Sequence, residues 1–230
     1  MTSRVLPQPD LYATCPAEGS VLDYYSGIFD AVYVCFSPFI RPTRIDPERF
    51  CPRRYPSQTE LLALCESVAW AEVMNLANLT SFAAIDQALK TQIQAVRPRL
   101  TNESNAKKLM ALYDRGVVMP PMEGEHSPFL VAPVMALFKD LGHNWAWVGD
   151  EFCTERKLYW TEDLATTDPS PIVEHANVFS ADKSLLWTVH WDSHFSFLCG
   201  SRTQLERAKI AQRLDGFFCT AGTDVYWSVR

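Results

Sequence analysis

Beyond Gly142 the chain switches from a helical to a strand-like pattern, and that switch restricts its possible folds more than any other feature. "NWAWVG", "KLYWT", "IVEHANVFS", "LLWTVHW", "FSFLCG", "GFFC" and "DVYWSV" are short, aromatic and β-branched, with turn residues between them. One helix, at about 203–214, interrupts them. Helices followed by a run of strands predict an α+β fold, a helical N-terminal half packed against a C-terminal antiparallel β-sheet. At 230 residues the chain buries a substantial core without disulfides or metals. The reading is a single α+β domain over 1–230: a loose arm at 1–20, a mainly helical region at 55–142 and a mainly stranded region at 143–230.

The helical region carries its own punctuation. Ser57 precedes "QTELLALCESV" and Glu60 lies three residues on, a capping-box spacing. A short helix follows at Trp70–Leu76. Phe82, Ile85, Leu89, Ile93 and Val96 fall on one helical face, with Thr80 or Ser81 as cap and Pro98 near the end. A further helix is expected at about 104–114, and another after Ser127-Pro128, where serine cap, proline entry and Gly142 exit match the usual asymmetry. Upstream, "AVYVCF" (31–36) reads as a strand. "SPFIRPTRIDPERFCPRRYPS" has five prolines in 21 residues and reads as irregular surface.

"LLWTVHWDSHFSFLCG" (185–200) sets His190, Asp192 and His194 at alternate positions. As one strand, Leu185, Trp187, Val189, Trp191, Phe195, Phe197 and Cys199 share a face, opposite the polar residues. A tight turn at "DSH" joining two strands is equally consistent. In a straight strand the two histidines stand roughly 13–14 Å apart, too far for one zinc ion with bonds of about 2.1 Å. Asp192, Ser193 and His194 are consecutive, whereas Ser–His–Asp triads assemble from distant positions. No G-x-S-x-G, H-E-x-x-H, P-loop or G-x-G-x-x-G occurs. The stretch is therefore expected to be a polar strand face or turn, with no catalytic residue, metal or cofactor assigned. The enzyme alternative is a pocket using His190, Asp192 and His194 with Cys199 or His175.

Net charge is −6 and pI about 5.4, the opposite of the usual balance in a nucleic-acid binder. The charge is concentrated. Asp140, Asp150, Glu151, Glu155, Glu162, Asp163, Asp168 and Glu174 are opposed within 140–174 only by Arg156 and Lys157, so that window alone carries −6. Trp145, Trp147 and Trp160 flank it. Aromatic anchors dominate interface energies, so Asp150, Glu151, Glu155, Trp160, Glu162 and Asp163 are the expected partner-binding residues. The seven cysteines include no C-x-x-C pair and sit mostly in apolar surroundings, as free thiols do. "MTSRVLPQPDLYATCPAEGS" has no apolar signal core, and no apolar run approaches a membrane span. The expectation is a cytoplasmic protein that contacts neither membrane nor nucleic acid.

"SPFIRP" (37–42), "YPSQTELL" (55–62), "VAWAEVM" (68–74), "LTSFAAIDQALKTQI" (79–93) and "HWDSHFSFL" (190–198) resemble segments of an uncharacterised bacterial family known only as a domain of unknown function. The resemblance implies a bacterial cytosolic protein and carries no reaction or ligand residues with it. Without an assembled catalytic motif, and with one dense acidic window, the sequence points to an immunity protein. Such a protein would neutralise a toxin domain by covering its basic cleft.

Overall fold

Ala31–Phe36 (β1) forms where the sequence predicts it, but its partners come from far downstream. The computed structural model describes residues 10–168 and 170–229. β1 pairs antiparallel with Phe195–Gly200 (β8) on one side and Gly216–Phe218 (β9) on the other. Beyond β8 follow Leu186–Val189 (β7), Asn177–Ser180 (β6), Trp145–Gly149 (β4) and, outermost, Arg156–Trp160 (β5). All pairings in this seven-stranded sheet are antiparallel.

Both faces of the sheet are covered. Val32, Val34 and Phe36 of β1 enter one core, while Ala31, Tyr33 and Cys35 enter the other. The first core is completed by Val21–Tyr24 (α1), Trp70–Leu76 (α3), Phe82–Gln92 (α4) and Glu103–Asp114 (α5). The second is completed by Pro128–Asp140 (α6), Thr161–Thr166 (α7), Arg202–Arg207 (α8) and Ile210–Arg213 (α9). Every residue of β1, β6, β7 and β8 is buried. Two-sided burial explains why these strands read as continuous apolar runs. The α+β expectation holds, with the helices split between two faces and one strand drawn from the helical half.

Several boundaries differ from the sequence reading. The Ser57 capping box forms on Gln58–Leu64 (α2), but the helix stops there. Cys65–Val68 (β3) instead pairs with Phe39–Pro42 (β2) inside the proline-rich segment, because Val68 packs beside Phe39 in the first core. α4 ends at Gln92, since Gln94 takes a left-handed conformation (φ 60). The helix expected at 203–214 is two, broken where Lys209 is left-handed (φ 53). Of residues 224–229, expected as a strand, Asp224 makes only an isolated antiparallel bridge with Ser20 and 225–228 form a turn. Within the expected loose arm, residues 1–9 lie outside the described residues, whereas Ala13 and Thr14 are buried and Thr14 accepts a hydrogen bond from Tyr25 (2.8 Å).

The 185–199 segment is a hairpin. Leu186 pairs with Cys199 and Val189 with Ser196, leaving 190–194 as the connection. The turn reverses the phase of the pattern, so Leu185 and Trp187 lie in one core and Phe195, Phe197 and Cys199 in the other. The single apolar face read from the sequence is therefore corrected. Gly216 shows how close the edge packing is: its φ is +155, and a Cβ there would stand 1.8 Å from the Val34 carbonyl oxygen. Gly216→Ala is expected to detach β9 and lower the unfolding free energy by about 2 kcal/mol in urea titrations. Loss under 0.5 kcal/mol would contradict the crowding.

Candidate functional site

The β7–β8 connection is held by a buried cation. α4 carries Asp86 and Lys90 one turn apart, both with 0% side-chain exposure and 3.9 Å between Asp86 Oδ2 and Lys90 Nζ. Lys90 donates to the Asp192 carbonyl (2.9 Å) and lies 3.4 Å from Ser193 Oγ. The Phe195 and Tyr226 rings lie beside its ammonium at 5.2 and 5.1 Å, a cation–π arrangement. Burial pushes the Asp86 carboxyl up, with Lys90 partly offsetting it.

The imidazoles here are neutral. His190 Nε2 faces the Ala17 carbonyl at 3.0 Å, and because a carbonyl only accepts, Nε2 carries the proton. His190 Nδ1 then accepts from the Asp192 amide (3.1 Å) and is 3.5 Å from Ser193 Oγ. Tyr226 donates to Asp192 Oδ2 (3.1 Å). Burial pushes His190 down to about 4 and His194 down to about 3. The structure thus brings His190, Asp192 and Ser193 together, with both His190 ring nitrogens engaged and Ser193 Oγ closed off from solvent.

Of the remaining residues of the enzyme alternative, His194 belongs to this turn and His175 lies beside it, whereas Cys199 does not. His194 Nδ1 has no partner. Cys199 lies at the far end of β8, opposite Val32 and Leu186, and burial raises its thiol well above the usual range. His175 lies 3.3 Å from Glu174 and meets the outside of the turn across Gly124, where a Cβ would stand 2.4 Å from His175 Cε1 and 2.7 Å from the Trp191 carbonyl oxygen. Among the described residues, no three His, Cys, Asp or Glu side chains are placed to share a metal ion.

The acidic window takes a different form. β4 and β5 form a hairpin whose loop, 150–155, is built around Asp150. The Asp150 carboxylate accepts from the amides of Phe152 (3.1 Å), Thr154 (2.9 Å) and Glu155 (3.0 Å) and from the Thr154 hydroxyl. Burial pushes its pKa up, but those hydrogen bonds outweigh burial and hold it below the ordinary carboxylate value. From beneath, buried Asn177 donates to the carbonyls of Asp150 (2.8 Å) and Glu151 (3.0 Å) and accepts from Thr188. The loop is thereby fixed, with Cys153 left-handed (φ 53). At its tip Phe152 is 66% exposed, between Glu151 and Glu155.

Trp160, Glu162 and Asp163 sit at the other end of β5, where α7 begins. Glu162 pairs with Lys139 and accepts from Trp160 Nε1 (3.3 Å). Trp145, 47% exposed, packs edge-on against Trp160 at 5.2 Å. The expected partner-binding residues thus form two groups separated by the five residues of β5, roughly 17 Å of strand. Between them runs the outermost strand of the sheet, with one edge unpaired among the described residues. Sequence reasoning missed Phe152; its signal was a bulky apolar residue inside an acidic turn, where nothing local could bury it.

These features define an α+β protein built on an antiparallel sheet with helices on both faces, presenting a rigid acidic hairpin loop at one edge. Among the described residues no helix is long and apolar enough to cross a membrane. The chain belongs to the family described as "Protein of unknown function (DUF2711)", whose profile matches residues 17–229. No curated protein and no solved structure matches it.

Proposed function

We propose that the chain is a bacterial immunity protein that acts in the cytoplasm by binding a cognate toxin domain and covering its basic cleft. The observation that carries this reading is Phe152: a large apolar side chain, 66% exposed, on a loop that Asp150 and Asn177 hold rigid, with an acid on either side. An aromatic on a preorganised loop loses little entropy on binding. The flanking carboxylates steer a basic partner and accelerate encounter. A standard interface covers about 800 Å² per partner, or roughly 30 Å across. One partner therefore reaches both Phe152 and the Trp145–Trp160 pair at the other end of β5. The enzyme alternative has less to stand on, since Ser193 and His190 are enclosed and Cys199 lies elsewhere.

The partner to test is a toxin domain encoded in the neighbouring reading frame, with association followed by stopped-flow fluorescence. Glu151→Lys with Glu155→Lys is expected to slow association at least about tenfold at low salt and to flatten its salt dependence. Phe152→Ala is expected to act on dissociation, weakening Kd by about 30-fold, as for a hot-spot aromatic. Asp150 is left intact, because its replacement would unfold the loop. Variants that fold normally and bind with unchanged rates would sink the proposal.

A further inference from the structure

The outer side of β5 is an open edge. The strand ends the seven-stranded sheet, and among the described residues nothing pairs with it beyond β4. The ladder bonds flanking β5 fix which backbone groups face outward. The Asp150 amide donates to the Glu155 carbonyl (3.1 Å), and the Thr161 amide donates to the Asn144 carbonyl (3.0 Å). Bonded residues alternate along an antiparallel pair. Lys157 and Tyr159 therefore bond to β4, while the amides and carbonyls of Arg156, Leu158 and Trp160 face the open side. The Leu158 residue is 38% exposed.

Natural edges are blunted by shortness, proline, bulges or projecting charge. The opposite edge, β9, is three residues long. In contrast, β5 has five residues, no proline and an unbroken register with β4. Its two cations are drawn onto rings of their own chain. The Arg156 guanidinium folds inward over Trp147 (5.6 Å) and Phe179 (5.9 Å) and lies 3.6 Å from Asp10. The Lys157 ammonium lies 5.0 Å from the Tyr159 ring on the same strand.

We propose that β5 pairs antiparallel with β5 of a second copy of this chain, about a two-fold axis at Leu158, joining two sheets edge to edge. The self-complementarity of the strand carries the assignment. Turned end for end about Leu158, the sequence Arg-Lys-Leu-Tyr-Trp sets Arg156 opposite Trp160, Lys157 opposite Tyr159 and Leu158 opposite itself. Each cation meets an aromatic ring, and no like charges stand opposite one another, as favourable cross-strand pairs require. An axis at Lys157 would instead set two ammonium groups together. With the axis at Leu158, the outward groups of Arg156, Leu158 and Trp160 fall at bonded positions. The register thus yields about six inter-chain hydrogen bonds, two for each of three bonded pairs. A two-fold contact of this kind closes on itself, leaving the short β9 edges at the ends of the joined sheet.

This inference stands apart from the toxin reading and is tested without a toxin. The interface is small, so a dimer with Kd on the order of 1–100 μM is expected in sedimentation velocity of the whole chain. Amide exchange at Arg156, Leu158 and Trp160 is expected to slow as protein concentration rises, with Lys157 and Tyr159, already bonded, as internal references. Each copy carries −6, so added salt is expected to tighten the dimer. Leu158→Asp sets two carboxylates together on the axis and is expected to weaken dimerisation at least about tenfold. Lys157→Glu changes an exposed side chain and is expected to weaken it severalfold. The melting temperatures of both variants confirm the fold. A chain that stays monomeric at about 500 μM, well above the expected Kd, would overturn the assignment, including one whose edge pairs with a different protein. So would a dimer that both variants leave unchanged, or exchange that slows only outside β5.

Discussion

Lys90→Met is expected to lower the unfolding free energy by about 3–5 kcal/mol, the usual loss when one partner of a buried charge pair is removed. Asp86 explains the size of the effect. Its carboxylate oxygens are buried without hydrogen-bond partners, so the ammonium 3.9 Å away is its principal compensation. The substitution also strips the Asp192 carbonyl of its donor. Replacing both charges, Asp86→Leu with Lys90→Met, is expected to recover at least about 2 kcal/mol of the loss, because a hydrophobic pair of similar volume satisfies the same space. Urea denaturation with linear extrapolation reads both values. If the single variant lost less than about 1 kcal/mol, or the double variant were no better, the ion pair would not be what secures the hairpin connection.

Acidification from pH 7.5 to 5.5 is expected to reduce stability by up to ~4 kcal/mol. Burial lowers three imidazoles from their ordinary value of 6.5: His126 and His190 to about 4, and His194 to about 3. Unfolded imidazoles gain protons as pH falls through about 6.5, while the folded ones resist until about 4. The unfolded state thus binds more protons in this window, and stability, complete above it, drains away as pH falls. Each histidine accounts for about 1.4 kcal/mol at pH 5.5. The Asp86 and Asp215 carboxyls, raised by burial, work in the opposite sense, which makes the three-histidine figure an upper bound. His194→Gln should remove about a third of the pH dependence. A flat profile between pH 7.5 and 5.5 would show that these rings are not held neutral.

Where local chemistry decided a boundary, the sequence was legible. The Ser57–Glu60 box, the Trp70–Leu76 helix and the Ala31–Phe36 strand lie where pattern and capping put them. Where a distant partner decided, it was not. Cys65–Val68 continues a helical pattern, and only Phe39–Pro42 across the chain turns it into a strand. Alternation in 185–199 fitted one strand as well as two, because a five-residue connection leaves each half alternating. Lys90 escaped notice because a lysine on an amphipathic helix ordinarily faces water. Its burial depends on the 190–194 turn and Tyr226, far away in sequence. The acidic window was visible as composition, but its division between the two ends of β5 follows from hairpin register.

The position of β1 has a kinetic consequence. Ala31 meets Gly200 and Cys35 meets Gly216, so the β8–β1–β9 side of the sheet closes a loop spanning most of the chain. Such non-local pairing slows folding to the order of milliseconds to seconds. Until β1 inserts, β8 and β9 have no strand between them, and the inner edge of each is a template for a neighbouring molecule. Dilution and reduced temperature during refolding should therefore govern the yield of this chain more than its final stability does.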